Sequence, residues 1–141
     1  MSHRHLLVGA AALAIPILFL ALWTSAPAGA ATPAPVQVEV DTPIDSNEAA
    51  YQVCSPADDD CSLRGAISKA NADAGNAYII SLPPNTYTLT IAGPGEPFNA
   101  AGNLDMFTNL AIRFSIEGQK AVIDGNGLDR VLHIVDGQVT L

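Results

Sequence analysis

The side chains best suited to chemistry in this 141-residue chain are a few carboxylates, with one arginine beside them. Two carboxylic acids that face one groove can act as acid and base in the hydrolysis of a sugar polymer. The candidates for such a site are Asp105, Asp124, Asp129 and Arg130. Asp124 and Asp129 flank an Asn-Gly turn, where an aspartate commonly bonds its own backbone. We therefore interpret both as structural and predict no catalytic residue.

The remaining candidates also have structural explanations. Arg130 follows Asp129 directly and is expected at the surface, while no second carboxylate of evident purpose accompanies Asp105. His133 lies in the apolar run Val131–Val135 without a serine or cysteine nucleophile context, so we interpret it as a strand residue. Aromatic residues are too few for a sugar-binding platform, and four of them are expected in the core. These four are Tyr78, Tyr87, Phe107 and Phe114.

Two further groups could hold a metal or form a covalent link. The carboxylates of Asp58-Asp59-Asp60 could bind calcium, but three consecutive residues cannot all point at one ion without a special turn, so we expect a solvated loop. The only cysteines are Cys54 and Cys61. In an exported chain such a pair favours a disulfide, whereas a zinc site would need a nearby histidine or a second cysteine pair. No metal or cofactor is predicted.

The first thirty residues have the pattern of a secretory signal. The short basic head His3-Arg4-His5 precedes the apolar run Leu6–Trp23, and small residues follow at Ala28-Gly29-Ala30. We predict a signal peptide over residues 1–30 and a secreted or cell-surface product. The alternative is an uncleaved anchor, because a run of this length lies near the lower limit of about 17–25 residues for a spanning helix. Pro16 argues against it.

The charge of the chain limits its partners. The formal net charge is −8, and removal of residues 1–30 takes away one of the six basic residues and none of the 14 acidic ones, which leaves −9. Such a chain repels phosphate backbones and anionic lipids, and no cluster of lysine or arginine reverses the effect locally. We expect no nucleic-acid partner and, once the signal is cleaved, no membrane. Carbohydrate or another surface ligand is the expected partner class.

The mature chain starts with a linker, a strand and a loop. Residues 31–35 are rich in proline and offer no large apolar side chain, which indicates a linker. Val36–Val40 alternates apolar and polar residues, so we predict a strand with one buried face. Residues 41–61 are rich in Asp, Asn, Ser and Pro without a sustained period, and we predict a loop that the cysteine pair closes.

A helix follows at Ser62. Its apolar residues fall at i, i+3, i+4 and i+7, which is the spacing of one helical face. They are Leu63, Ala66, Ile67 and Ala70. We predict a helix over residues 62–71 with Ser62 as its N-cap, and Gly75 offers a natural stop beyond it.

The rest of the chain is divided into short apolar runs. They are Tyr78–Leu82, Tyr87–Ile91, Leu110–Ile116, Ala121–Ile123, Val131–Val135 and Val139–Leu141. Turn sequences separate them, including Pro83-Pro84-Asn85, Gly93-Pro94-Gly95 and Asp124-Gly125-Asn126-Gly127. Many short strands with frequent turns predict a mainly β fold, and this pattern is compatible with a sandwich, a barrel or a β-helix.

A family resemblance distinguishes among these three. The segment Cys61–Ile67 with Ala70–Ala72 resembles the CSLREA-type segment that precedes right-handed parallel β-helices in exported bacterial proteins. Further segments are similar to that family in the same order: Leu82–Leu89, Gly102–Asp105, Ile123–Gly127 and Arg130–His133. The resemblance implies a mainly β, right-handed parallel β-helix. Residues 36–141 would form its N-terminal cap and first coils, with one α-helix covering the end of the solenoid.

One position departs from the family pattern. The family has glutamate where this chain has Gly65. With Ser62, that glutamate would form a capping box, in which each side chain bonds the backbone N–H of the other residue. Glycine removes one of these bonds and costs about 0.8–1 kcal/mol relative to alanine. We predict a weaker first helical turn and a higher melting temperature for Gly65→Glu.

The last residues and the scaffold suggest a role. Gln138–Leu141 has the pattern of a strand that begins a new coil, and solenoids need terminal caps and several coils, so we expect a fragment that is incomplete at its C-terminus. We predict a non-catalytic, structural or adhesion-like β-helix protein of the cell surface or the medium. The alternative is a fragment of a carbohydrate-active enzyme, a polysaccharide lyase or hydrolase.

Overall fold

The computed structural model describes residues 32–93 and 98–141, and these form mainly strands with one α-helix. The elements in chain order are β1 (Val36–Glu39), a 3-10 helix (Ala49–Tyr51), α1 (Leu63–Ala72), β2 (Tyr78–Leu82), β3 (Thr86–Thr88), β4 (Leu104–Met106), β5 (Leu110–Phe114), β6 (Val122–Asp124), β7 (Leu132–Ile134) and β8 (Val139–Thr140). The predicted signal peptide, residue 31 of the linker and part of the turn at residues 93–95 lie outside the described residues.

The strands form three parallel sheets. Their orders are β1-β2-β5-β8, β3-β6 and β4-β7. Successive strands enter the three sheets in a repeating order, so β2, β3 and β4 form one set of three strands and β5, β6 and β7 form the next set, which pairs with the first. We call these coil 1 and coil 2; β8 then returns to the first sheet. Paired strands lie side by side. In residues 32–93 and 98–141, the antiparallel bridge between Gln52 and Cys61 lies outside the named strands.

Alternation along each strand sets which side chains enter the core. In β2, Tyr78, Ile80 and Leu82 are buried and the two residues between them are half-exposed. Parallel pairing aligns these inward positions with those of β5, where Tyr78 lies opposite Leu110 and Ile80 opposite Ile112. Apolar side chains thus stack in columns across the coils, because a period of two places every second residue on the same face.

Helix α1 packs on this core from one side. Its predicted apolar face is buried in the main hydrophobic cluster, and the helix contacts β2, β4 and the 3-10 helix. The side chain of Ser62 accepts a hydrogen bond from the N–H of Gly65 at 2.9 Å, which confirms the predicted N-cap. None of the helices in residues 32–93 and 98–141 is long and apolar enough to cross a membrane.

Several predicted elements differ in extent from those observed. The strand at Tyr78–Leu82 is confirmed as predicted, but the run Tyr87–Ile91 is a strand only at its first two residues, which belong to β3. The predicted loop at residues 41–61 includes a 3-10 turn, and β4 was not predicted as a strand. Phe114 is also not a core residue, because its side chain is 60% exposed.

Candidate functional site

Buried and half-buried polar side chains form a hydrogen-bonded group on the side of coil 1 that faces α1 and the loop before it. We call this side the capped end, and define it by Asp45, Arg64, Asn71 and Asn99. Asp45 comes from the loop at residues 41–61, the next two residues belong to α1, and Asn99 lies in the segment before β4. These four side chains bond backbone groups or one another across long sequence separations.

Arg64 is the central residue of the capped end. Its side chain is fully buried and forms a two-pronged ion pair with Asp45, with Nε to Oδ1 at 2.6 Å and an Nη2 to Oδ2 distance of 3.1 Å. The guanidinium also donates to three backbone carbonyls, those of Asn99, Gly102 and Asn103. A planar fork of five donors suits this set of acceptors, and an ammonium group would not match it.

The Oδ2 atom of Asp45 also bonds the backbone just after β3. It accepts hydrogen bonds from the N–H groups of Thr90 and Ile91 at 2.7 and 3.0 Å. Burial by itself raises the pKa of Asp45, but the hydrogen bonds and charge of Arg64 and the two N–H bonds outweigh it and hold the pKa below its ordinary value. Asp45 is therefore a buried anion that joins α1 to coil 1.

Two asparagines bond the edge of β4 that faces away from β7. Asn99 accepts from the N–H of Asp105 at 2.5 Å and donates to its C=O at 2.9 Å. Asn71 donates to the same C=O at 2.7 Å and accepts from the N–H of Phe107 at 2.9 Å. Edge strands expose such groups to pairing with other chains. Here side-chain amides take the place of a neighbouring strand.

The structure contradicts the expected rise in melting temperature for Gly65→Glu. A Cβ atom at Gly65 would lie 1.9 Å from the carbonyl oxygen of Tyr51, far inside contact distance. That same oxygen accepts the N–H of Ser62 at 3.1 Å, which is the bond that the glutamate of a capping box would have made. The 3-10 helix thus supplies the missing acceptor, and it leaves no space for a side chain at Gly65.

The cysteine loop lies beside the capped end. Cys54 and Cys61 form a disulfide, as predicted, and the N–H of Cys54 donates to the carbonyl of Asp60 at 3.2 Å. The carboxylate of Asp60 accepts from the N–H and the hydroxyl of Ser55, so one of the three acidic residues is bonded within its own turn. In the described part of the chain, no group of three or more His, Cys, Asp or Glu side chains could hold a metal ion.

The residues first considered for chemistry are distributed over several places. Asp124 accepts from the N–H of Asn126 at 2.9 Å and Asp129 from the N–H of Arg130 at 2.7 Å, which are the predicted local turn bonds. Asp105 and His133 were not expected to meet. They are register partners on β4 and β7, and Nδ1 of His133 lies 2.6 Å from the buried Oδ1 of Asp105.

Sequence reasoning missed the four side chains of the capped end. Their partners lie between 6 and 46 residues away along the chain, and no short motif encodes such contacts. One signal was available. Arg64 lies three residues before Ile67, at the border of the predicted core face, and a charged residue that is buried there requires a partner.

The opposite side of the stack has a different character, and we call it the open end. It comprises the apolar positions of coil 2 that face away from coil 1. Leu82 is 2% exposed while its register partner Phe114 is 60% exposed, and the pair Met106 and Ile134 shows 0% and 52%. A cleft of about 870 Å³ lies here, lined mainly by apolar residues of coil 2 and by Leu82.

A smaller cleft of about 470 Å³ borders α1. It is lined by Ser68, Asn71, Ala72, Phe98 and Phe107. The hydroxyl of Ser68 is buried and has no hydrogen-bond partner. Both polar ends of the Asn71 amide are already bonded to the β4 edge, so this cleft offers few free polar groups to a ligand.

Comparison of this chain with protein-family models, with curated proteins and with solved structures found no match. Geometry therefore carries the functional assignment. Its two main features are an end of the stack whose edge groups are bonded by side chains and an end whose apolar positions are exposed.

Proposed function

We propose that this chain is the N-terminal end of a right-handed parallel β-helix in a secreted or cell-surface protein, with a structural or adhesion-like role and no catalysis. Successive strands join the three parallel sheets in a repeating order, and this order supports the coiled fold. The resemblance of residues 61–72 to the CSLREA-type segment supports the placement at the N-terminal end. The Cys54–Cys61 disulfide fits an oxidising compartment outside the cytosol.

The observation that carries this proposal is the bonding of the β4 edge by side chains. The first coil of a solenoid exposes its interior and a row of unpaired backbone groups, and it needs a cap for solubility. Asn71 and Asn99 meet the edge groups, while the apolar face of α1 covers core residues of coil 1. A segment with these features works as an end piece, whatever the coils behind it bind.

Two measurements test the proposal. Export of the 141-residue chain from a suitable host, followed by N-terminal sequencing, should give a product that begins at Ala31. Recovery of the intact chain in the membrane fraction would instead support the uncleaved anchor. A crystal structure of the exported product should show parallel coils that wind to the right, and left-handed winding or antiparallel hairpins would contradict the fold.

A second candidate function is a carbohydrate-active enzyme, and one contact favours it. The buried carboxylate of Asp105 also accepts from the side chain of Asn103 at 2.7 Å, and it orients the partly exposed ring of His133. A carboxylate behind an imidazole is the arrangement of a general base. We place it second because the contact joins register partners of β4 and β7, which gives the pair a structural role.

Incubation with pectin-like polymers decides between the two functions. We expect no cleavage by the exported chain and no difference between it and His133→Ala. Cleavage that persists through purification and disappears in His133→Ala would establish the enzyme and reject the structural role.

A further inference from the structure

We propose that Asn126 is a site of spontaneous covalent modification, in which the side-chain amide is lost as ammonia and the residue becomes aspartate or isoaspartate. Water is the co-reactant. The site lies in the turn that leads from β6 to β7, and thus from one sheet of coil 2 to the next. This inference goes beyond the proposed function, because it concerns the chemistry of one turn and uses neither the cap nor the open end.

Asn126 differs from the other asparagines in the residue that follows it. Of the eight asparagines in the sequence, it alone precedes a glycine. In the first step of deamidation the backbone nitrogen of the following residue approaches the side-chain carbonyl carbon, and a side chain on that residue hinders the approach. Gly127 has no Cβ. A Cβ placed there would meet no atom within 4 Å, so other parts of the chain do not crowd this nitrogen either.

The turn keeps both reacting groups at the surface with few restraints. Asn126 and Gly127 are exposed, and their φ angles of 52° and 64° have the signs of the two central residues of a type I′ turn. The N–H of Leu128 donates to the carbonyl of Gly125 at 3.0 Å, and the N–H of Asn126 donates to Asp124 at 2.9 Å. Neither bond uses the amide side chain or the nitrogen of Gly127. A short exposed turn also opens at a small cost in free energy, which lets the two groups meet.

The reaction is balanced without an oxidant or a reductant. The backbone nitrogen of Gly127 gives its proton to solvent and forms a bond to Cγ of Asn126. The bond from Cγ to Nδ2 breaks, the nitrogen takes up a proton from solvent, and ammonia leaves a cyclic imide behind. Water then opens the imide at one of its two carbonyls. Cleavage of the new bond gives aspartate, and cleavage of the original peptide bond to Gly127 gives isoaspartate.

Two other exposed asparagines give an internal comparison. Asn85 and Asn109 directly precede β3 and β5, so the residues that follow them are Thr86 and Leu110, which carry branched side chains. The backbone nitrogens of these two residues are also engaged. The N–H of Thr86 donates to the Oδ1 of Asn85 at 2.8 Å, and that of Leu110 donates to a backbone carbonyl at 3.0 Å. We expect both asparagines to remain intact while Asn126 reacts.

The product changes the charge and the length of the turn. Because the N–H of Asn126 already bonds the carboxylate of Asp124, the new carboxylate forms near an existing one, and like charges at short range repel each other. Isoaspartate also adds a carbon atom to the main chain. Both changes weaken the bond that closes the turn, so the N–H of Leu128 should exchange faster with solvent.

Incubation of the exported chain in mildly alkaline buffer, with peptide mapping by mass spectrometry at intervals, tests the proposal. The peptide that contains Asn126 should gain the mass difference between a hydroxyl and an amino group, and it should separate into two products of equal mass. An isoaspartate-specific methyltransferase should label one of them. Peptides with Asn85 and Asn109 should keep their mass over the same period.

Gly127→Ala is the matched variant, because the added methyl group finds open space and yet hinders the attack of the nitrogen. Conversion of Asn126 should slow at least ~10-fold, which corresponds to about 1.4 kcal/mol in the activation free energy. Circular dichroism checks that the variant folds. In a second variant, Asn126→Asp, the N–H of Leu128 should exchange faster than in the fresh parent chain, as it should in the incubated parent.

Three results would overturn the proposal. Conversion of Asn126 no faster than that of Asn85 or Asn109 would remove the special position of this turn. An equal rate in folded Gly127→Ala would exclude attack by the neighbouring nitrogen, and unchanged exchange at Leu128 in Asn126→Asp would exclude the effect on the turn. None of these results concerns export, handedness or the cap, so the proposed function is judged separately by its own measurements.

Discussion

At the scale of single residues, Arg64 joins three parts of the chain that are distant in sequence. Its side chain extends from α1, pairs with Asp45 of the preceding loop, and donates to the carbonyls of Asn99, Gly102 and Asn103 in the segment before β4. Loss of the guanidinium leaves a buried carboxylate and several carbonyls without their donors, and an uncompensated buried charge is costly.

Arg64→Ala should lower the free energy of unfolding by about 3–5 kcal/mol, the range for breaking a buried ion pair. Arg64→Lys should recover only part of this loss, because a single ammonium cannot bond both carboxylate oxygens and the carbonyls. Urea unfolding followed by circular dichroism measures both. Arg130→Ala is the matched control, since Arg130 is exposed and 3.9 Å from Asp129, and it should change stability little.

The lowered pKa of Asp45 makes the stability of the fold depend on pH. Its pKa is lower in the folded chain than in the unfolded one, where an aspartate titrates near 3.9. Its contribution to stability is thus present above about pH 4 and is lost as the pH falls through the folded pKa. Unfolding measured from pH 6 to pH 2 should show this loss, and Asp45→Asn should be less stable at pH 6 with a shallower slope. An unchanged slope would contradict the assignment.

At the scale of elements, the start of α1 depends on the 3-10 helix. Gly65→Ala should lower the melting temperature because its Cβ would collide with the carbonyl of Tyr51, and Gly65→Glu should lower it further. Gly75→Ala is the control: a Cβ there meets no atom within 4 Å, so its melting temperature should hold or rise slightly. If Gly65→Ala proves as stable as Gly75→Ala, the close approach of Tyr51 is wrong.

The edge of β4 offers a test by hydrogen exchange. Asn71→Ala removes the acceptor of the Phe107 N–H, so this amide should exchange faster. The N–H of Leu104 bonds to the carbonyl of Val131 on the other side of the strand, and its exchange should be nearly unchanged. Equal acceleration of both amides would show that the whole strand opens and that Asn71 does not act on one edge.

The elements differ in how far their sequence revealed them. β2 was predicted with its observed bounds because its five residues form a short apolar run that ends at the turn sequence Pro83-Pro84-Asn85. β4 has only three residues, and Asp105 is buried in it, so its pattern resembles a turn until Asn99 and Asn103 are known to bond it. The sign of the Gly65 effect depends on Tyr51, which reaches α1 only through the tertiary fold.

At the scale of the whole molecule, burial decreases from coil 1 to coil 2. Residues with few buried contacts open with a smaller free energy. Backbone amides of β2 should therefore exchange more slowly than those of β7. Equal protection of the two strands would contradict the gradient.

Because side-chain amides bond the β4 edge, slow deamidation would change this part of the molecule. Asparagine is a thermolabile residue. Deamidation of Asn71 to aspartate would remove its donor and set a negative oxygen beside the carbonyl oxygen of Asp105, where the amide nitrogen now lies at 2.7 Å. The hold of α1 on the β4 edge would then weaken with age, without any cut in the backbone, while the two bonds of Asn99 to Asp105 would remain.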